Sequence, residues 1–138
     1  MATTGDIITE ARDWIGVPWR HQGRSRQGLD CIGLVIVVCG ALDILHYKFT
    51  AYRRSPSQYA LIERFYEHFD RVQESDIGEG GLVLMRENIY PCHAAWVANE
   101  KSIIHASWHH KCVTEERIEP YRDKITHYLK LKPCYNIR

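Results

Sequence analysis

The segment CIGLVIVVCGALDIL, residues 31–45, limits the fold more than any other part of this chain. From Cys31 to Leu42 every residue is apolar or glycine, so a helix here has no polar face to offer water and must be enclosed by the rest of the protein. The run stops at Asp43, well short of the roughly 20 residues that cross a bilayer, so it reads as a core helix and no membrane insertion is expected. The enclosing material comes from 138 residues, 45% apolar and 25% charged, which suits one globular domain over 1–138. Lys plus Arg number 18 against 17 Asp plus Glu, so a net charge of +1 gives no general attraction to nucleic acid or acidic lipid.

The flanking patterns divide the chain by type. Ile7, Ile8, Ala11, Trp14 and Ile15 recur at helical spacing, with Thr3 or Thr4 as N-cap and Gly16 and Pro18 as the stop. WRHQGRSRQGLD, from Trp19 to Asp30, is a polar loop broken by Gly23 and Gly28 that leads into the core helix. A third helix is expected after Ser55 or Ser57, with Tyr59, Ile62, Phe65, Tyr66 and Phe69 on one side. Beyond Gly78-Glu79-Gly80-Gly81 come LVLM (82–85), HAAWVA (93–98), SIIHAS (102–107), KCVTEERI (111–118) and THYLKLK (126–132), spaced as antiparallel strands. Helices first and strands second is an α+β order.

Five cysteines without a C-x-x-C pair, behind an N-terminus (MATTGDIITEAR) with no secretory pattern, point to free thiols and to a chain that is cytoplasmic at synthesis. Cys31 opens the core helix, where unpaired N–H groups and the helix dipole favour a thiolate. Cys39 lies two turns deeper and reads as core. A thiol nucleophile needs an imidazole and a polar group to orient that imidazole. His93 and His105 are equidistant from residue 99, so an odd hairpin loop centred on Asn99 makes them cross-strand neighbours on one face, and an even loop separates them.

These residues carry a resemblance. WRHQGRSRQGLDCIGLV, followed by GGLVLM and HAAWVANEKSIIHAS, resembles the NlpC-like family of cell-wall cysteine peptidases, whose pattern is an aromatic, a glycine-containing loop, Gly-x-Asp-Cys-x-Gly, then two histidine-bearing strands. The resemblance covers roughly residues 8–107. It implies a papain-like α+β domain with the nucleophile at the start of a central helix packed on a C-terminal antiparallel sheet. By position Cys31 is the nucleophile, His93 the base and His105 the orienting residue. Asp30 is implied in binding the free amino end or polar backbone of a short peptide, beside the N-cap role that Asp fills well. The implied substrate is a peptidoglycan stem peptide, cut between D-glutamate and the diamino acid, with no cofactor and no metal.

Three positions depart from the pattern. Trp19 stands for the usual tyrosine and either supplies its indole N–H or packs; Ile32 stands for the usual serine; Gly80-Gly81 replaces Gly-Asp. His21 and Gln22 are candidates for substrate contact or a second oxyanion donor. The RHQG-type loop and Ile32 resemble phage-encoded and phage-derived members, which implies phage tail proteins as partners. Two alternatives stay open on the same fold: a catalytically silent tail-assembly scaffold, and a thiol amidase or acyltransferase. A zinc module built from Cys92, His93, His105, His109, His110 and Cys112 is the rival from outside it, though the spacing fits no closed zinc finger.

Overall fold

The computed structural model describes residues 2–49, 58–87 and 92–138. Helix α1 (Thr4–Asp13) starts on a reciprocal capping box: Thr3 Oγ1 accepts the Asp6 N–H at 3.0 Å, and the Asp6 carboxylate accepts the Thr3 N–H at 2.9 Å. It buries Ile7, Ile8 and Ala11. Ile15, expected on that buried face, is 45% exposed because the helix has already ended.

The polar stretch after Trp19 contains a short hairpin, β1 (Arg24–Ser25) and β2 (Gly28–Leu29), which delivers the chain to helix α2 (Cys31–Ala41). Cys31 through Val35, Val38 and Cys39 are buried, as an all-apolar helix requires. The helix is shorter than its apolar run. Asp43 takes the left-handed conformation at φ 53, and the Ile44 N–H bonds the Cys39 carbonyl at 2.9 Å. The Asp43 N–H bonds the Gly40 carbonyl at 3.1 Å, completing a Schellman cap with Asp in the place usually taken by Gly.

Helix α3 (Gln58–Tyr66) is the third helix; its expected caps Ser55 and Ser57 and the Tyr59 side chain lie outside the described residues. Leu61 and Phe65 turn inward, whereas Tyr66 is 37% exposed. Phe69, expected on the same helix, instead opens β3 (Phe69–Val72), a strand whose two apolar ends coincide with the helical period. The five expected strands follow as β4 (Leu82–Met85), β5 (His93–Val97), β6 (Ser102–Ser107), β7 (Cys112–Arg117) and β8 (Ile125–Leu131).

The six strands form one antiparallel sheet in the order β3-β8-β4-β5-β6-β7. Alternate residues face opposite sides. Leu82, Leu84, Ala94, Trp96, Ile104 and Ala106 pack with the helices; Val83, Met85, Ala95, Val97 and Ile103 face the other way and meet Ile118. Burial on both faces explains why LVLM and HAAWV are continuous apolar runs. Among the described residues no helix is long and apolar enough to cross a membrane.

Candidate active site

The turn before α2 is built around a wholly buried carboxylate. Asp30 Oδ1 accepts the Gly33 N–H at 2.8 Å and an Arg24 N–H at 3.1 Å, while Oδ2 accepts the Gln22 N–H at 2.7 Å. Both oxygens are thus held by the protein itself, and of the two roles open to Asp30 the structure supports the cap. Gln22 acts here through its backbone, at φ 58, with His21 half-buried beside it in the same turn. A Cβ on Gly33 would stand 2.2 Å from the Gly23 carbonyl oxygen, so the motif glycine is what lets the loop close on the helix. Trp19 is half-buried and meets Trp108 edge to face at 4.8 Å, which supports packing as one of its functions.

The histidine hairpin has the expected odd loop with a different centre. The pairs Trp96↔Ile104 and Val97↔Ile103 put its midpoint at Glu100 rather than Asn99. The cause is Asn99, whose side-chain oxygen accepts the Lys101 and Ser102 N–H groups at 2.8 and 2.9 Å and so turns the chain after itself. Continued along β5, this register sets His93 level with Ser107 and diagonal to His105. A shift of two residues preserves the face, and His93 Nε2 lies 2.7 Å from His105 Nδ1. Met85, directly paired with His93, identifies that face as the one turned away from the helices.

Cys31 stands in the helix-side core beside β5. The Ala94 N–H, one residue beyond His93, hydrogen-bonds to its sulfur. No hydrogen bond joins the sulfur to either imidazole among the described residues, and Cys31 and His93 are each 1% exposed. The surroundings of the sulfur work against the expected drift toward thiolate. Burial, reinforced by the negative charge of Asp30, pushes the Cys31 thiol well up, and the Ala94 N–H offsets this only in part. Burial, with His105 alongside, holds His93 well below the usual imidazole range. The resting pair is therefore a neutral thiol and a neutral imidazole. Cys39 is core, its thiol pushed up to about 12 by burial.

Two carboxylates belong to the site that motif reading did not single out. His105 Nε2 bonds Glu116 Oε2, which also accepts the Tyr121 hydroxyl at 2.7 Å, and Glu116 Oε1 lies 2.7 Å from His110 Nε2. Burial pushes Glu116 up, but the hydrogen bonds from His105, Tyr121 and His110 outweigh it and bring the carboxyl to about 2. Glu116 is reached through the β6–β7 register, which pairs Ile103 with Glu116, a relation no local pattern announces. Glu87 Oε2 stands 3.4 Å from His93 Nδ1, and burial raises its carboxyl.

Glu87, His93 and His105 bring potential ligand atoms within 4.8 Å of one another. The two imidazoles, however, direct one nitrogen each at the other across 2.7 Å, which leaves His93 Nδ1 and Glu87 as a facing pair, short of the three protein ligands usual at a catalytic zinc. The six residues of the zinc-module reading do not form a cluster among the described residues.

The NlpC/P60 family pattern matches residues 16–130. No curated protein matches the chain. Among solved structures, an NlpC/P60 family protein from Bacillus cereus superposes with a TM-score of 0.70 at 16% identity, over 93% of this chain and 40% of that one. The NlpC/p60 domain of the peptidoglycan hydrolase SagA gives 0.67 at 17% identity, over 94% and 99%. RipD from Mycobacterium tuberculosis, described as a non-catalytic NlpC/p60 domain protein adapted to peptidoglycan binding, gives 0.61 at 17% identity, over 91% and 94%. This chain thus spans under half of the Bacillus cereus protein and nearly all of the SagA domain. With the six-stranded sheet, the capped core helix and the sequence match in agreement, the chain belongs to the NlpC/P60 family and has the papain-like α+β fold of its peptidoglycan hydrolases.

Proposed function

We propose that the protein is a cysteine peptidase that hydrolyses an amide bond in peptidoglycan stem peptides, between D-glutamate and the diamino acid, through Cys31, His93 and His105. The observation that carries this reading is the buried 2.7 Å contact between His93 Nε2 and His105 Nδ1, beside a helix-terminal sulfur that bonds the neighbouring Ala94 N–H. His105 engages Nε2 of His93 and leaves Nδ1 as the base atom.

Because thiol and imidazole are both neutral at rest, proton transfer accompanies attack. Cys31 Sγ bonds to the carbonyl carbon as His93 Nδ1 takes the thiol proton. The oxyanion is received by N–H groups at the start of α2, which have no intrahelical acceptor. Collapse breaks the C–N bond, His93 returns the proton to the departing amine, and an acyl-enzyme remains on sulfur. Water, deprotonated by His93, then releases the acid and restores the thiol. If an amine replaces water in that last step, the same residues carry out acyl transfer.

The RHQG-type loop and Ile32 support a tail-associated phage or phage-derived setting, with phage tail proteins as partners. A silent binding protein on the same fold is favoured by the 1% exposure of Cys31 and His93. Digestion of purified sacculi by wild type and by Cys31→Ala, followed by mass spectrometry of the fragments, tests these readings. Stem-peptide cleavage by wild type alone supports the peptidase. Binding without cleavage by either protein supports the silent reading.

A further inference from the structure

We propose that Glu116 is a positioning residue that fixes the tautomers of both imidazoles, so that Nδ1 of His93, the nitrogen not engaged by His105, is the bare one. This rests on the reading of the site as a thiol peptidase. The argument begins on β7. The pairs His105↔Thr114 and Ile103↔Glu116 place Glu116 diagonal to His105 on the same face, one strand further from His93. His93, His105 and Glu116 thus form a line across three adjacent strands. An ionised carboxylate is an acceptor only. Tyr121 donates to Glu116 Oε2 at 2.7 Å and His110 Nε2 lies 2.7 Å from Oε1, which hold the carboxylate in place.

The consequence passes through two rings. Since Glu116 accepts from His105 Nε2, that nitrogen carries the hydrogen, and in a neutral ring Nδ1 is then a lone pair. Across 2.7 Å that lone pair accepts from His93 Nε2, which must carry the hydrogen of its own ring. His93 Nδ1 is left unprotonated, and Glu87, whose Oε2 faces it at 3.4 Å, is a carboxyl that burial raises toward the protonated form able to donate to it. Without a carboxylate beyond His105, either direction of the His93–His105 bond becomes available, and the reversed one puts a hydrogen on His93 Nδ1, where it cannot accept the thiol proton. The packing supports a single arrangement: the Tyr121 ring meets His105 edge-on at 5.5 Å, and His105 is wholly buried. The charged or titratable groups facing the two rings are Glu87 on the His93 side and Glu116 with Tyr121 on the His105 side; Lys124 and His109 act on Glu87.

The test uses the full chain labelled with nitrogen-15 histidine. Long-range proton–nitrogen spectra near neutral pH should show the Nε2–H tautomer for both His93 and His105. In Glu116→Ala the single tautomer should be lost at both rings, and kcat on a stem peptide should fall roughly 10- to 100-fold, less than the full contribution usual for a general base, with KM little changed. Glu116→Gln, whose carbonyl oxygen can still accept, should lie between. In Glu116→Gln the acid limb of kcat/KM should also move to lower pH, because removing a negative charge disfavours the imidazolium. A protonated Nδ1 on either ring of the wild type overturns the proposal. So do tautomers, kcat and acid limb all unchanged in both variants. If the wild type cleaves no stem peptide, the peptidase reading fails, and the nitrogen spectra still decide the order of the hydrogen bonds.

Discussion

His93 Nε2 and His105 Nδ1 stand 2.7 Å apart between the neighbouring strands β5 and β6, which pair through Trp96↔Ile104 and Val97↔Ile103. Each ring keeps a second nitrogen with its own partner: Glu87 near His93 Nδ1 and Glu116 on His105 Nε2. The candidate base is therefore set within a line of side chains on the sheet face that the helices do not cover.

Activity should extend to lower pH than an ordinary histidine base allows. Burial holds His93 well below its usual 6.5, so the base form persists as the solution is acidified and the acid limb of kcat/KM falls below that value. Stability follows the same sign. An imidazole depressed in the folded state contributes fully above the unfolded value near 6.5, and its contribution is lost as pH falls toward the folded value. Glu116, at about 2 when folded, adds a loss as pH falls from the ordinary carboxyl value of 4.5 through about 2. A pH–rate profile and thermal melts across the acid range check both signs; an acid limb above 6.5 would contradict the first.

Asp30→Ala should reduce stability and not merely substrate affinity. Loss of an N-cap typically costs about 1 kcal/mol, and stranding the Gln22 N–H and Arg24 adds about 1–3 kcal/mol, so Tm should fall by roughly 10 °C. Asp30→Asn presents an amide N–H to a position where two donors would meet, and should recover only part of the loss. An unchanged Tm with a raised KM would return Asp30 to the substrate-binding role.

Gly33→Ala should displace the loop that carries Gln22 and Gly23. The added methyl would lie 2.2 Å from a backbone oxygen, which no side-chain rotation relieves, so about 1–3 kcal/mol of stability should be lost along with most activity. Denaturant melts with parallel assays check this. Retention of both would mean that the loop gives way freely.

Much of this was legible in the sequence, for identifiable reasons. Residues 31–42 could only be a buried helix, and the spacing of His93 and His105 about a short turn required one shared face whenever the loop was odd. The loop's centre was not legible, because the Asn99 turn and a turn around residue 99 itself leave the same strands on either side. Phe69 is expected on a helix because one aromatic at helical spacing reads the same as the start of a four-residue strand. Glu116 was invisible among 17 acidic residues, since only the β6–β7 register brings it to His105. The burial of Cys31 was not legible, because a helix terminus can be seen in the chain, whereas the layers that enclose it are contributed by residues far away in sequence.

The most direct measurement is the covalent state of the protein during turnover. Wild type should be mixed with a stem peptide, quenched in acid before turnover is complete, and mapped by mass spectrometry. The account predicts an acyl adduct, carrying the glutamyl side of the cleaved bond, on the peptide that contains Cys31. Product formation with no adduct, or an adduct on the exposed Cys134 instead, would contradict it.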